Sequence, residues 1–408
     1  MNKEKTTSNH ISSLFNTSTL TRETVAILNS FDEIIQGVRP LNSRQLQQLP
    51  ENIRNLSHQL TDDRASRRLG YMNDNIQLSS YVRYYTWWNL VRLTRLFANI
   101  PATVFPTTDC TCLDLGSGPL TVVTALWLAR PELRKLKLTW YCLDVSANSM
   151  ALGEDIFLSI AARTSEEPWH IVRVKGAFGT SIKQKAGFLT CANMFNELDQ
   201  ASDMPPEFQT KKYYEQILRY CEKDAGVLLV EPGVPKAART LSLLRTRFIK
   251  DGRTIAAPCP HAEECPMSGF KAYTGSKNKW CNFAFSTEDA PARLQKLSVA
   301  AKLPKERATL SFIAVDAAKS AVASTSSTTV STVDVRIASD KLKLPNYMCG
   351  YYACTRFGLA LVKLPDENNK KLPKPPFRPQ SGDLLSVKIK TPDFLPKDEK
   401  SGAIIIEI

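Results

Sequence analysis

The sequence predicts an α/β fold built on a doubly wound, mainly parallel sheet, and three observations carry that expectation. From residue 111 onward, short β-rich runs (TCLDLGSG, LTWYCLDVS, AGFLTCANM, GVLLVEPG and later LSFIAVD) alternate with helical stretches, the pattern of parallel strands joined by crossover helices. The first run ends in a glycine turn and the second closes on an acid, Asp144, where an open α/β sheet places ligand-binding groups. The chain has 408 residues, 43% of them hydrophobic and 23% charged, so it is long enough for two or three structural units of ordinary globular composition.

In chain order, residues 1–20 are polar and read as a loose tail, and residues 21–104 show helical spacing with few glycines. The last of these helices sets Tyr81, Tyr84, Tyr85, Trp88 and Val91 at i, i+3, i+4, i+7 and i+10, a stripe expected to be core in preference to a base-stacking face; Arg83, Arg92 and Arg95 fall largely off it. Between GVLLVEPG and LSFIAVD, the interval 234–309 is unusually long for a crossover and holds a basic helix and three cysteines, which reads as an insertion. A Ser/Thr-rich linker at 320–332 precedes β-prone segments broken by KLPDENNKKLPKPPFRPQ, expected to supply a final sheet strand or two and then a small β appendage. No internal repeats are found.

The 53 Lys and Arg against 40 Asp and Glu give a net charge of +13, which points to an acidic partner. Nucleic acid is the first choice, because the cations are spread over folded segments instead of lining one amphipathic helix. No run of 18 apolar residues occurs and MNKEKTTSNHISSLF lacks the apolar core of a secretory signal, so a soluble, non-exported protein without membrane contact is expected. That start is Ser/Thr-rich but holds both Lys and Glu and little Arg, a poor match to a mitochondrial transit peptide.

The segment Cys112-Leu113-Asp114-Leu115-Gly116-Ser117-Gly118-Pro119-Leu120-Thr121 reads as a buried strand, a glycine turn and a helix start, with Pro119 suited to the first helical turn. Thr121 stands where a dinucleotide fingerprint wants Gly or Ala, which argues against NAD or FAD. Asp144 is placed to accept from two ribose hydroxyls. An acid-x-Gly-x-Gly turn followed by an acid closing the next strand resembles the class I methyltransferases. The resemblance implies S-adenosyl-L-methionine held by Asp114, Gly116, Ser117, Gly118 and Asp144. Methyl transfer from a sulfonium is an in-line displacement, so the protein supplies alignment and a place for the departing proton. Asn193, Asn196 and Glu197, closing the third run, are the candidates; the equal alternative is that an asparagine there caps the next helix. No Asn-Pro-Pro-aromatic or Asp-Pro-Pro-aromatic motif of exocyclic-amine methylation is present. A carbon methylation would need a cysteine nucleophile, for which Cys191 and Cys259 follow suitable strands.

Ten cysteines in a non-exported chain point to buried thiols or metal ligands. Cys259, Cys265 and Cys281 lie in APCPHAEECPMSGFKAYTGSKNKWCNF, with Cys349 and Cys354 far downstream. Paired C-x-x-C knuckles of a zinc ribbon are lacking, and both zinc, with His261 as a further ligand, and an iron-sulfur cluster stay open. Cys110, Cys112, Cys142 and Cys221 need no metal.

LDLGSGPLT, ANMFNEL, VEPG, APCPH, the ECP and WC cysteines and YYACTRFGLAL together resemble the Rsm family, methyltransferase-like proteins of the small ribosomal subunit found in mitochondria and bacteria, over about residues 70–405. The resemblance implies a class I methyltransferase (Rossmann-like) fold; with the texture read above, the chain divides into a flexible tail (1–20), a helical N-terminal domain (21–104), a methyltransferase core (105–255), a cysteine-rich metal-binding insertion (256–309), the end of the methyltransferase sheet (310–363) and a small β appendage (364–408). It implies a 4Fe-4S cluster on Cys259, Cys265, Cys281 and Cys354, with zinc as the alternative and Cys349 outside the matched motif. It also implies association with the small ribosomal subunit and its rRNA, by a chain that is a monomer when free. The activity expected is rRNA methylation; the rival is a non-catalytic assembly factor. The compartment expected is a bacterial-type cytoplasm, with the mitochondrial matrix as the alternative. Lys236, Arg239, Arg245, Arg247, Lys250 and Arg253 offer cations to phosphates, against the plain reading of a solvated helix face.

Overall fold

The computed structural model describes residues 8–61, 72, 74–198, 204–270, 279–317, 331–367, 377–389 and 395–408. A short strand, β1 (Ser8–Ser13), leads into helices α1 (Arg22–Asn29), α2 (Phe31–Val38), α3 (Ser43–Thr61), α4 (Asn75–Tyr81) and α5 (Trp87–Phe97). Side-chain caps set two of the starts: Thr21 accepts from the Thr24 amide and Asp74 from the amides of Ile76 and Gln77. α4 and α5 form one rod that widens to a π turn over Val82–Thr86, a distortion that often marks a functional position.

Of the aromatic stripe expected to be core, Tyr84, Trp88 and Val91 are buried while Tyr81 and Tyr85 are half-buried, and the Trp88 indole donates to Ser298. Arg83 and Arg95 are buried as well, because each has oxygen partners. Arg83 donates to Ser79, Gln36 and the Arg39 carbonyl, and Arg95 to Asp289 and the Ser286 carbonyl. These helices do not form a separately cored domain. One apolar cluster runs from Phe31 through Trp87 and Leu90 to Leu126 and Phe312, so the expected unit 21–104 is a layer on the α/β body.

That body is the predicted sheet. Strands β2 (Thr111–Leu115), β3 (Thr139–Asp144), β4 (His170–Lys175), β5 (Ala186–Ala192), β6 (Cys221–Glu231), β7 (Ile255–Ala257), β8 (Phe283–Ser286) and β9 (Arg307–Val315) lie in the order β4-β3-β2-β5-β6-β9-β7, with β8 also on β9. The first five pair in parallel, while β9 runs antiparallel to its neighbours. Helices α6 (Thr121–Ala129), α7 (Ala147–Ala161), α8 (Phe195–Leu198), α9 (Pro206–Tyr220), α10 (Pro235–Lys250) and α11 (Ala292–Ala300) complete the body. α6 is apolar on every side and every one of its residues is buried. The chain leaves β2 toward β3 and β4 and then crosses to β5, which opens a crevice at the carboxyl ends of β2 and β5. The interval 256–309 is more than an insertion, since β7 and β8 both hydrogen-bond to β9 at the sheet edge.

A second sheet corrects the reading of both chain ends. Strands β10 (Ser331–Ile337), β11 (Leu342–Leu344), β12 (Met348–Thr355), β13 (Gly358–Pro365), β14 (Asp383–Ile389) and β15 (Ile404–Glu407) join β1 in the order β1-β14-β10-β12-β13-β15, with β11 on β12. The first sheet therefore ends at β9, and residues 331–363, expected to complete it, belong with 377–389 and 395–408 in a unit with its own core of Val333, Val335, Tyr351, Val362, Leu385 and Ile404. Nor is the beginning a loose tail from Ser8 on: β1 pairs antiparallel with β14, Asn9 opposite Ser386 and Ser13 opposite Asp383. Without β1 the outer backbone groups of β14 would be an open edge. The Ser/Thr-rich linker up to residue 330 and residues 368–376 of the Pro- and Lys-rich stretch lie outside the described residues. Among the described residues no helix is long and apolar enough to cross a membrane.

Candidate functional site

The glycine turn after β2 is held by backbone. Gly116 and Ser117 both donate to the Leu143 carbonyl at 2.9 and 3.1 Å, and Gly116 (φ +66°) and Gly118 (φ +48°) take left-handed conformations that favour glycine. A Cβ on Gly116 would lie 3.0 Å from the Met194 side chain. The helix starts at Thr121, after a left-handed Leu120, so Pro119 is not in the first helical turn. Pro119 instead lies against Gly153 of α7, where any Cβ would run into its backbone. Sequence reading missed Gly153, because the close approach joins the glycine loop to a helix that is distant from it in the chain.

The two acids of the motif do different work. Asp144 closes β3 and lines the pocket above the turn; its carboxylate accepts from the amides of Gly118 (2.9 Å) and Ser146 (2.8 Å), clamping the two ligand loops together. Burial pushes its pKa up. Asp114 is not among the pocket-lining residues. It is fully buried behind the turn, where one oxygen accepts from Thr190 Oγ1 at 2.7 Å, and burial raises its pKa to about 7.

The pocket, about 980 Å3 with its mouth included, is lined by Gly116 to Pro119, Asp144, Gly176 to Phe178, Ala192 to Met194, Glu197 and Leu198. Its remaining wall comes from the helical layer: Met72, Tyr81 at the start of the π turn, and Asn89 and Leu93 of α5. Burial, with Glu197 and Asp144 nearby, drives the Tyr81 phenol well above its ordinary range. Of the candidate residues for transfer, Asn193 and Glu197 face this space and Asn196 does not line it. Asn193 has φ +62°, and its side-chain oxygen accepts from Arg92 at 3.2 Å. Glu231, of the VEPG run, was given no role by the sequence. It is fully buried and receives the amides of Phe195 and Asn196 at 2.9 and 3.1 Å, anchoring the start of α8. Cys191 is buried in the core, not in the pocket lining, and burial pushes its thiol up, which removes it as a nucleophile.

A second, narrow cavity, about 300 Å3 with the open space at its mouth included, separates the α/β body from the second sheet and is lined by Cys259, Cys265, Cys281 and Cys354 together with His261, Arg245 and Arg336. Cys259 follows β7, Cys281 precedes β8, and Cys354 comes from β12. Cys349 lies apart, buried in the core of the second sheet. His261 Nε2 is 2.9 Å from Cys354 Sγ, and Arg245 Nε donates to Cys259 Sγ at 3.0 Å. Burial raises the thiols of Cys259, Cys281 and Cys354. Among the described residues no group of three or more His, Cys, Asp or Glu is placed to hold a metal ion, so the metal-binding insertion expected from sequence is not a closed ligand set here. The donor set itself is all-thiol with an imidazole, and no carboxylate lines the cavity.

The basic helix is less free than its composition suggests. Arg239 pairs with Glu207 and sits over the Phe270 ring, Arg245 faces the cysteine cavity, and Arg253 donates to the carbonyls of Lys223, Ala225 and Asp316. Lys236 and Lys250 are exposed and Arg247 half-buried.

Sheet order, glycine turn and crevice define an α/β protein with an S-adenosylmethionine-dependent methyltransferase-like fold. The chain belongs to the Rsm22 family, described as mitochondrial small ribosomal subunit Rsm22, which it matches over residues 89–348. No curated protein matches it. Among solved structures it is similar to a SAM-dependent methyltransferase from Geobacter sulfurreducens in complex with S-adenosyl-L-homocysteine (12% identity, 56% of this chain and 90% of that one, TM-score 0.32). It is likewise similar to YjhP from E. coli (12%, 65% and 99%, TM-score 0.34) and to a SAM-dependent methyltransferase from Thiobacillus denitrificans in complex with S-adenosyl-L-homocysteine (11%, 56% and 90%, TM-score 0.30). Likeness at this level carries nothing about substrate.

Proposed function

We propose that this chain is an S-adenosylmethionine-dependent methyltransferase acting on the small-subunit rRNA in the mitochondrial compartment that its family's description names, in place of the cytoplasm first expected. The observation that supports it is the pocket at the carboxyl ends of β2, β3 and β5, with Asp144 and the glycine turn on one side and Glu197 on the other. In this reading Gly116, Ser117 and Gly118 give backbone approach to the cofactor and Asp144 orients its ribose. Asp114 keeps the turn in place from behind. S-adenosylmethionine, when bound, supplies the methyl group. Tyr81 and Leu93 exclude water from the far wall, and Glu197 receives the proton that the acceptor gives up.

Labelled cofactor incubated with purified small subunits should transfer its methyl group to rRNA, and Glu197→Gln should cut that transfer by about a hundredfold, the usual worth of a proton-transfer residue. Cofactor product binding should persist in that variant and fall at least about tenfold in Asp144→Ala. A wild-type chain that binds the product but labels no small subunit at any assembly stage would leave the non-catalytic assembly factor. One contact favours that second reading: Arg92 engages the oxygen of Asn193, the acceptor that would otherwise orient an amine.

The four cysteines of the second cavity would hold a 4Fe-4S cluster, the thiolate-only chemistry matching the donor set. Zinc is the alternative. Iron and acid-labile sulfide in anaerobically purified chain, against zinc, decides between them.

A further inference from the structure

We propose that Arg245 and Arg336 are positioning residues that supply the positive charge balancing an anionic thiolate cluster in the second cavity; this rests on the iron-sulfur reading above. Four observations carry it. Both guanidiniums line the cysteine cavity, and both are almost inaccessible to water, at 3% and 6% exposure. They come from opposite walls, Arg245 from α10 of the α/β body and Arg336 from β10 of the second sheet. Neither takes part in an ion pair with a carboxylate among the described residues. Their hydrogen bonds go instead to Cys259 Sγ (3.0 Å) and the His261 carbonyl (2.7 Å) for Arg245, and to the carbonyls of Pro258 (2.9 Å) and Gly382 (2.7 Å) for Arg336.

A buried guanidinium is costly unless it is paired, and the carbonyls that these two meet are neutral; the buried Asp383 acts on Arg336 without forming an ion pair with it. The cavity thus holds two cations facing four cysteine sulfurs. Four thiolates on an oxidised 4Fe-4S core total two negative charges, which the two arginines match, and one added electron makes that three. Positive charge stabilises the reduced form more than the oxidised one, so the arginines raise the reduction potential and hold the bound cluster against loss. Their placement on both walls also makes the filled cavity a joint between the two sheets.

The test is a potentiometric titration of the full-length chain, followed by its electron paramagnetic resonance signal, with iron and sulfide counted in parallel. Arg245→Gln and Arg336→Gln are each expected to shift the reduced-to-oxidised ratio at fixed potential at least about tenfold toward oxidised, 59 mV for a one-electron couple. Arg245→Lys and Arg336→Lys keep the charge and should stay close to wild type. Should the glutamine variants lose the cluster while the lysine variants keep it, the charge role also stands. Should a glutamine variant not fold, Arg→Met at the same position, which fills the volume without leaving a polar group, takes its place. Unchanged potentials in cluster-loaded glutamine or methionine variants overturn the proposal, as does equal cluster loss in the glutamine and lysine variants. Wild-type chain without iron and sulfide would instead overturn the iron-sulfur reading on which it rests.

Discussion

At the scale of single residues, the two carboxylates of the glycine-turn motif show how burial separates similar side chains. Asp144 is tied by two amides and Asp114 by one hydroxyl, and Asp114 has a second buried oxygen without a partner among the described residues. The pKa of Asp114 is raised in the folded chain to about 7, against an ordinary value near 4. Between those values the folded state binds the extra proton, so its contribution to stability is present at low pH and is lost as pH rises from about 4 through about 7. Asp114→Asn keeps the bond from Thr190 and removes the charge. We therefore expect it to melt higher than wild type at pH 8 and to lose the advantage at pH 5, measured by calorimetric scans across pH. Equal shifts at both pH values would show that the carboxylate is not protonated in the fold.

At the scale of elements, the pocket depends on contacts between segments that no local pattern connects. α7 comes against the glycine loop only because residue 153 has no side chain. Gly153→Ala should cost about 1–3 kcal/mol in denaturant unfolding, the range for an overpacked contact, and should weaken product binding in the same chain because Pro119 must move. A stability loss with binding intact would place the strain elsewhere. Glu231 anchors α8 from β6, so Glu231→Gln, keeping one acceptor and losing the other, should cost about 1–3 kcal/mol and increase amide exchange at Phe195 and Asn196. The first strand makes the same point at the other end. Deleting residues 1–13 strips β1 from β14, and exchange over Asp383–Ile389 should rise about tenfold while the strands β2 to β6 keep their protection.

At the scale of the whole molecule, the charge excess overstates what is free to meet nucleic acid. Arg83, Arg95, Arg239, Arg245, Arg253 and Arg336 are buried and bonded within the protein. Each phosphate contact contributes about 0.7–0.9 to the slope of log affinity against log salt, so that slope for small-subunit rRNA should fall well short of the arginine count. Replacing the exposed Lys236 and Lys250 together by alanine should reduce the slope by about 1.5. Arg253→Ala should leave the slope unchanged and lower the melting temperature, since its three carbonyl partners are internal. A slope unchanged in the double lysine variant would move the RNA face away from α10.

The alternation of strand and helix, the glycine turn and Asp144, and the helical texture of the first hundred residues were legible in the chain because they arise from neighbours within a few positions. Local hydrophobic period and turn chemistry suffice to set them. The same reasoning set Arg83 and Arg95 off the aromatic stripe but could not show that they are buried, since most of the oxygens that bury them come from residues far away in sequence. Only tertiary structure joined β1 to the last strands, set Gly153 under Pro119, and engaged Asn193 with Arg92. Each of these is a pairing across tens to hundreds of residues, fixed by which surfaces fit when the layers close. A linear pattern carries the residue types for such contacts, but not their partners.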